Sequence, residues 1–161
     1  AAWDYLVANQ TSIFSEISYD ISLNSERFDR GIYLKMPYES SQKNNYNVTV
    51  KPKFQESTES STKIKFEQRL MLTSSEAWVK CPQFIDMVSQ GKSFAIEVDP
   101  RALPDNDVHV AFVRAYVDNQ PEAGYVFEVP VTVVRPLRIP AGTKTISLPL
   151  TTKGDGDIMR L

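Results

Sequence analysis

A chain of 161 residues has room for one domain with flanking segments, because domains cluster at roughly 100–150 residues. Its 18 Lys and Arg stand against 20 Asp and Glu, a formal net charge of -2, which excludes the basic field that recruits nucleic acid or anionic lipid. Hydrophobic residues make up 42% of the chain, yet no apolar run approaches the ~20 residues that span a bilayer. No nucleic acid and no membrane is therefore expected as a partner.

The opening "AAWDYLVA" places Trp3, Leu6 and Val7 at helical spacing with alanines between them, which predicts a short N-terminal helix over residues 1–12 with one apolar edge. It starts without a capping residue, as expected if its first turn, or the domain it packs on, was cut away. It also lacks the basic start and apolar stretch of an export signal.

After "NQTS" the period changes to two. Ile17, Tyr19, Ile21 and Leu23 alternate with Ser18, Asp20 and Ser22, the mark of a strand with one buried face. The same rule covers Val48 and Val50, then Ile64, Phe66, Leu70 and Leu72, then Phe94, Ile96 and Val98. In the stretch Val108 to Val117 both faces are partly apolar; His109, Ala111, Val113, Ala115 and Val117 are taken as inward because Arg114 lies on the other side. From Tyr125 to Val133, Tyr125, Phe127, Val129, Val131 and Val133 share the core face. Pro130 cannot donate to a ladder, so that strand is expected at a sheet edge or bulged there.

The connections "YESSQKNNYN", "QESTESST", "DPRALPDND" and "DNQPEAG" are rich in turn formers. Their spacing leaves no room for crossover helices. An all-β fold follows, an Ig or fibronectin III-like antiparallel β-sandwich of about seven strands over residues 13–138. Residues 139–161, with "TTKGDGD", read as a linker or the start of another domain.

Reactive chemistry is hard to assemble from these residues. His109 is the only histidine; Asp107 or Asp118 could orient it, but no serine stands in an elbow-like glycine context. Cys81, the only cysteine, invites pairing with His109, yet "AWVKCPQF" is an extended segment without a helix start to lower a thiol pKa. One Cys and one His cannot complete a zinc site, and "KGDGD" lacks the Glu that closes a calcium loop. Trp78 fits the tryptophan that such sandwiches bury against the opposite sheet. No catalytic, cofactor-binding or metal-ligating residue is assigned, and no cofactor is expected. A lone cysteine suits a reducing compartment, so a cytoplasmic protein is expected. The sequons at Asn9 and Asn47 keep open an alternative, an independent extracellular adhesion or binding module.

Five stretches, taken in order, carry a resemblance: "AAWDYLV", "RGIYLKMP", "LMLTSSEAWVKCPQFIDM", "VDPRAL" and "GYVFEVPVTVV". Together they resemble the tripeptidyl peptidase II family of subtilisin-like serine peptidases, in the region just after the catalytic domain. The chain departs from the family at "PDNDV", where a glycine is common, and at Tyr125, where a proline is common. The resemblance implies a noncatalytic Ig-like domain of a cytosolic serine exopeptidase that releases tripeptides from free N-termini. It further implies that the catalytic residues lie before Ala1, that residues 1–12 are the terminal helix of the upstream peptidase domain, and that this domain braces the upstream catalytic domain and supports a homo-oligomer. Peptide substrates would then belong to the parent protein alone.

Overall fold

The computed structural model describes residues 17–24, 26–27, 31–139, 141–145 and 147. The helix expected over residues 1–12 and the "KGDGD" stretch lie outside them. Two five-stranded sheets form a sandwich. The first carries β1 (Ile17–Leu23), β2 (Glu26–Arg27), β4 (Asn44–Phe54), β6 (Val79–Lys80) and β8 (Lys92–Val98) in the order β2-β1-β4-β8-β6. The second carries β3 (Ile32–Leu34), β5 (Glu67–Ser74), β7 (Phe84–Val88), β9 (Asp107–Val117) and β10 (Tyr125–Arg135) in the order β3-β10-β9-β5-β7. All pairings are antiparallel except β3 with β10, which run parallel over Val131–Val133.

The two-residue period does what it predicts. Val48, Val50, Ile96 and Val98 from the first sheet, and Leu70, Val113, Val129 and Val131 from the second, are fully buried between the layers. Each such side chain contributes roughly 1.5–3 kcal/mol of burial. The inward choice on β9 agrees with the structure: Ala111, Val113, Ala115 and Val117 are buried, and His109 at the strand's start is half-buried.

Two expectations fail for local reasons. Residues 63–66 are not strand: Ser60–Ile64 form a one-turn helix, α1, and Ile64 is 78% exposed. β7 reaches β5 only from Glu67 onward and β9 only from Leu70, so no strand is present to satisfy this backbone. The Lys63 N–H donates instead to the Glu59 carbonyl. Tyr125 is not on the core face either. It pairs with Tyr116, then the register shifts so that Phe127 pairs with Ala115. The extra residue of this β-bulge flips the alternation, leaving Tyr125 outward and Phe127 buried.

Pro130 is accommodated without a bulge of its own. Its partner Phe112 spends its backbone groups on Ser75, so the proline nitrogen points away from β9. On that side β3 covers only Val131–Val133. Gly31, just before β3, has φ +87°, and a Cβ there would stand 2.3 Å from the Pro130 carbonyl oxygen. Glycine is what lets β3 approach β10.

The chain enters and leaves the sandwich at opposite ends. β1 starts beside the β9–β10 hairpin, where the Tyr19 ring lies 5.6 Å from Phe127 and its hydroxyl donates to Gln68 Oε1 at 2.9 Å. Burial pushes the Tyr19 pKa up to about 12. At the same end Phe54 closes β4 edge-on against Phe66, 5.1 Å between centroids. β10 runs from this hairpin end to the other, where it finishes at Arg135.

Candidate interaction surface

The residues with reactive potential do not converge. His109 sits on β9, and its Nε2 is 3.0 Å from the Pro104 carbonyl oxygen. That oxygen can only accept, so Nε2 carries the proton in this contact. Asp107 accepts from the Val108 N–H, and Asp118, at the far end of β9, faces Arg69 at 3.9 Å. Neither carboxylate orients the imidazole. Cys81 follows β6 at the edge of the other sheet, half-buried against the core. Burial raises its thiol pKa, opposite to what a nucleophile needs. Trp78, in the turn before β6, packs partly against the core, and its carbonyl accepts from the Asp99 N–H at 2.8 Å. Among the described residues no cluster of His, Cys, Asp or Glu could hold a metal, and no helix is long and apolar enough to cross a membrane. Asn47 is exposed on β4.

What the structure does assemble is a polar clasp at the end where β10 stops. Arg135 is 6% exposed. Its Nη1 donates to the carbonyls of Ser40 and, at 3.2 Å, of Pro100; Nη2 pairs with Asp105. Its Nε has no partner among the described residues. One guanidinium thereby ties the 3-10 turns Glu39–Ser41 and Pro100–Ala102 and the Asp105 loop to the end of β10. Asp105 also reaches Arg138 at 3.5 Å, which aims the departing chain. Nearby, Asp99 is held down to about pKa 2 by its side-chain hydrogen bonds with Arg101. No catalytic pattern singles out Arg135, although the sequence does carry a signal for it. It continues the series Val129, Val131, Val133 by two and so belongs on the core face.

The outer faces of the two sheets differ in chemistry. On the first sheet Asp20 pairs with Lys53 at 3.2 Å, Thr49 Oγ1 meets Ser93 Oγ at 2.7 Å, and Glu97 takes Lys43 at 2.9 Å. On the second sheet, cross-strand rows set Tyr33 beside Thr132 and Val110, Val134 beside Val108, and Tyr125 beside Tyr116. Charge interrupts this face: Arg69 faces Asp118 at 3.9 Å, and Arg114 Nε donates to Glu128 Oε2 at 2.6 Å, with the Phe112 and Tyr125 rings 5.1 and 5.3 Å from the guanidinium. The Glu128 hydrogen bond pushes the Arg114 pKa up.

Residues 17–134, which contain all of this architecture except the last residue of β10, match the family model described as tripeptidyl-peptidase II, first Ig-like domain. The chain belongs to that family. It is similar to tripeptidyl-peptidase 2 of Drosophila melanogaster, 33% identical over 162 residues that cover 98% of this chain and 11% of that protein. The Arabidopsis thaliana tripeptidyl-peptidase 2 is 30% identical over 163 residues, covering 99% of this chain and 12% of that protein. Among solved structures, the crystal structure of tripeptidyl peptidase 2 (TPP II) superposes with a TM-score of 0.75 at 31% identity, over 98% of this chain and 13% of that one. The chain thus spans about an eighth of the length of the relatives it matches.

Proposed function

We propose that this chain is a noncatalytic Ig-like domain of a tripeptidyl peptidase II, a cytoplasmic serine exopeptidase that releases tripeptides from free N-termini. Its task is to brace the subtilisin-like catalytic domain on its N-terminal side and to support assembly of the homo-oligomer. Peptide substrates belong to the parent protein, and no group in the sandwich is asked to touch them.

One observation supports this reading: β1 starts at the hairpin end and β10 finishes at the clasp end, an arrangement that suits a sandwich standing in series between an N-terminal and a C-terminal neighbour. Support at the hairpin end comes from Ile64 and Tyr125, which are exposed there. Leu70→Ala in the full-length protein tests the bracing. It removes a fully buried side chain that lies outside any catalytic machinery and costs the sandwich ~2–5 kcal/mol. Faster thermal inactivation of tripeptide release and a smaller assembly are expected. Unchanged inactivation and assembly size would overturn the role. Hydrolysis of an alanyl-alanyl-phenylalanyl reporter by this chain alone, stopped by a serine-directed inhibitor, would overturn its noncatalytic character.

A further inference from the structure

Exposed large hydrophobic side chains are not scattered over this domain. Apart from Ile64 and Tyr125, those among the described residues gather at the clasp end of the second sheet. Tyr33, Val108 and Val110 stand on the outer face, aligned through β10 by the pairs Thr132 with Tyr33, Thr132 with Val110 and Val134 with Val108. Met36 and Tyr38 continue from β3, which runs parallel to β10 and so heads the same way. Leu137 and Ile139 lie on the departing segment itself. Pro37, Tyr38, Pro136 and Leu137, with Ser40, Ser41 and Arg138, line an open depression of ≈ 490 Å³ between the segments that follow β3 and β10.

We infer that this clasp-end patch is the seat of the polypeptide C-terminal to β10 in the parent protein, an intrachain interface with an apolar surface of the next domain. This rests on the reading that the sandwich stands in series within a longer peptidase chain. Three features select that occupant. The relatives carry roughly eight to nine times as much polypeptide as this domain supplies, by the 11% and 12% coverage. The patch surrounds the exit of β10 rather than the start of β1, and the departing segment adds its own Leu137 and Ile139 to it while staying exposed at residues 136–139 and 141–145. The charges beside it are committed to one another, Asp105 to Arg135 and Arg138, which leaves apolar burial to drive the contact. The clasp holds the turns that present Met36 and Tyr38 in one arrangement, so little ordering is left for docking to supply.

Site-directed photo-cross-linking in the full-length protein tests this. p-Benzoylphenylalanine replaces Tyr33 or Val110, with Ser93 on the first sheet's outer face as control. Assemblies are mixed from light- and heavy-nitrogen protein, irradiated, digested and mapped by mass spectrometry. The expected adducts join positions 33 and 110 to peptides C-terminal to this domain, always of the same isotope label, and position 93 gives none there. Adducts to peptides N-terminal to Ala1, adducts between differently labelled chains, or no adduct at either position would each overturn the inference. The thermal-inactivation result for Leu70→Ala is read independently. A failed cross-link with intact bracing therefore refutes the docking site alone, and a failed bracing test refutes the reading beneath it.

Discussion

The two outer faces of the sandwich grew from the same alternating pattern and ended with opposite surfaces. On β1 and β4 the outward positions are Ser18, Asp20, Ser22, Thr49, Lys51 and Lys53, all polar, with Asp20 paired to Lys53 and Thr49 to Ser93. On β9 and β10 the outward positions include the apolar Val108, Val110, Phe112, Pro130 and Val134. The difference separates what a strand needs in order to fold from what it offers afterwards. A sheet needs one apolar face to bury, and the first sheet stops there. The second adds exposed apolar residues on β3, β9 and β10 that its own core never uses, while β5 and β7 turn Glu67, Arg69, Thr73 and Asp86 outward.

Four measurements put that contrast at risk. The largest effect is expected at the clasp, which presents the apolar end of the second sheet. Arg135→Met leaves the Ser40 and Pro100 carbonyls without their donor and Asp105 with Arg138 alone, for a loss of ~2–3 kcal/mol in urea unfolding, and Arg135→Lys recovers only part of it. A neutral Arg135→Met would mean that the end is held by something other than the guanidinium. Next comes the face itself. In this chain alone, Val110→Lys and Ser93→Lys each change stability by less than ~0.5 kcal/mol, as exposed positions do. In the full-length protein Val110→Lys is expected to lower stability by ~1.5 kcal/mol, the burial of one valine, while Ser93→Lys stays neutral. Equal effects in the full-length protein would erase the distinction between the faces.

At the hairpin end, Tyr19→Phe removes the bond to Gln68, costing ~1 kcal/mol, and it also changes the alkaline limb of stability. The folded-state pKa of Tyr19 is raised from 10.0 to about 12. Its contribution is therefore complete below pH 10 and is lost as pH climbs from there through about 12. The Phe variant should show a shallower decline over that window, and parallel curves would place the titration elsewhere. The smallest effect separates two ion pairs by double-mutant cycles. Asp20 with Lys53, exposed on the first sheet, is expected to couple by ~0–0.5 kcal/mol. Arg114 with Glu128, flanked by aromatic rings on the second, is expected to couple more strongly and to resist salt better. Identical couplings would show that the rings do not shield the pair.

Much of the fold is legible in the sequence where a residue's environment depends on its immediate neighbours. Val129, Val131 and Val133 announce a buried strand face by alternation alone, and Phe94, Ile96 and Val98 do the same. Ile64 and Tyr125 mislead because alternation runs on past the point where a partner strand exists, or across a bulge that leaves no mark in the pattern. "IYL" of β3 and "FIDMV" of β7 carry no readable signal, since three- and five-residue strands hold too few periods to stand out. Arg135 is readable as a core position, but its partners lie 30 to 95 residues away in sequence, and no local pattern names them. The family resemblance, carried by segments such as "LMLTSSEAWVKCPQFIDM", agrees with the match over residues 17–134.

By itself the sequence determined that this chain builds a β-sandwich, because period-two burial is a property of each strand and needs no knowledge of its neighbours. Tertiary structure alone decided which outward faces adjoin, that β3 runs parallel to β10, and that Arg135 gathers Ser40, Pro100 and Asp105. Those relations depend on strand order and register, which are set by packing across the whole domain once loops have closed.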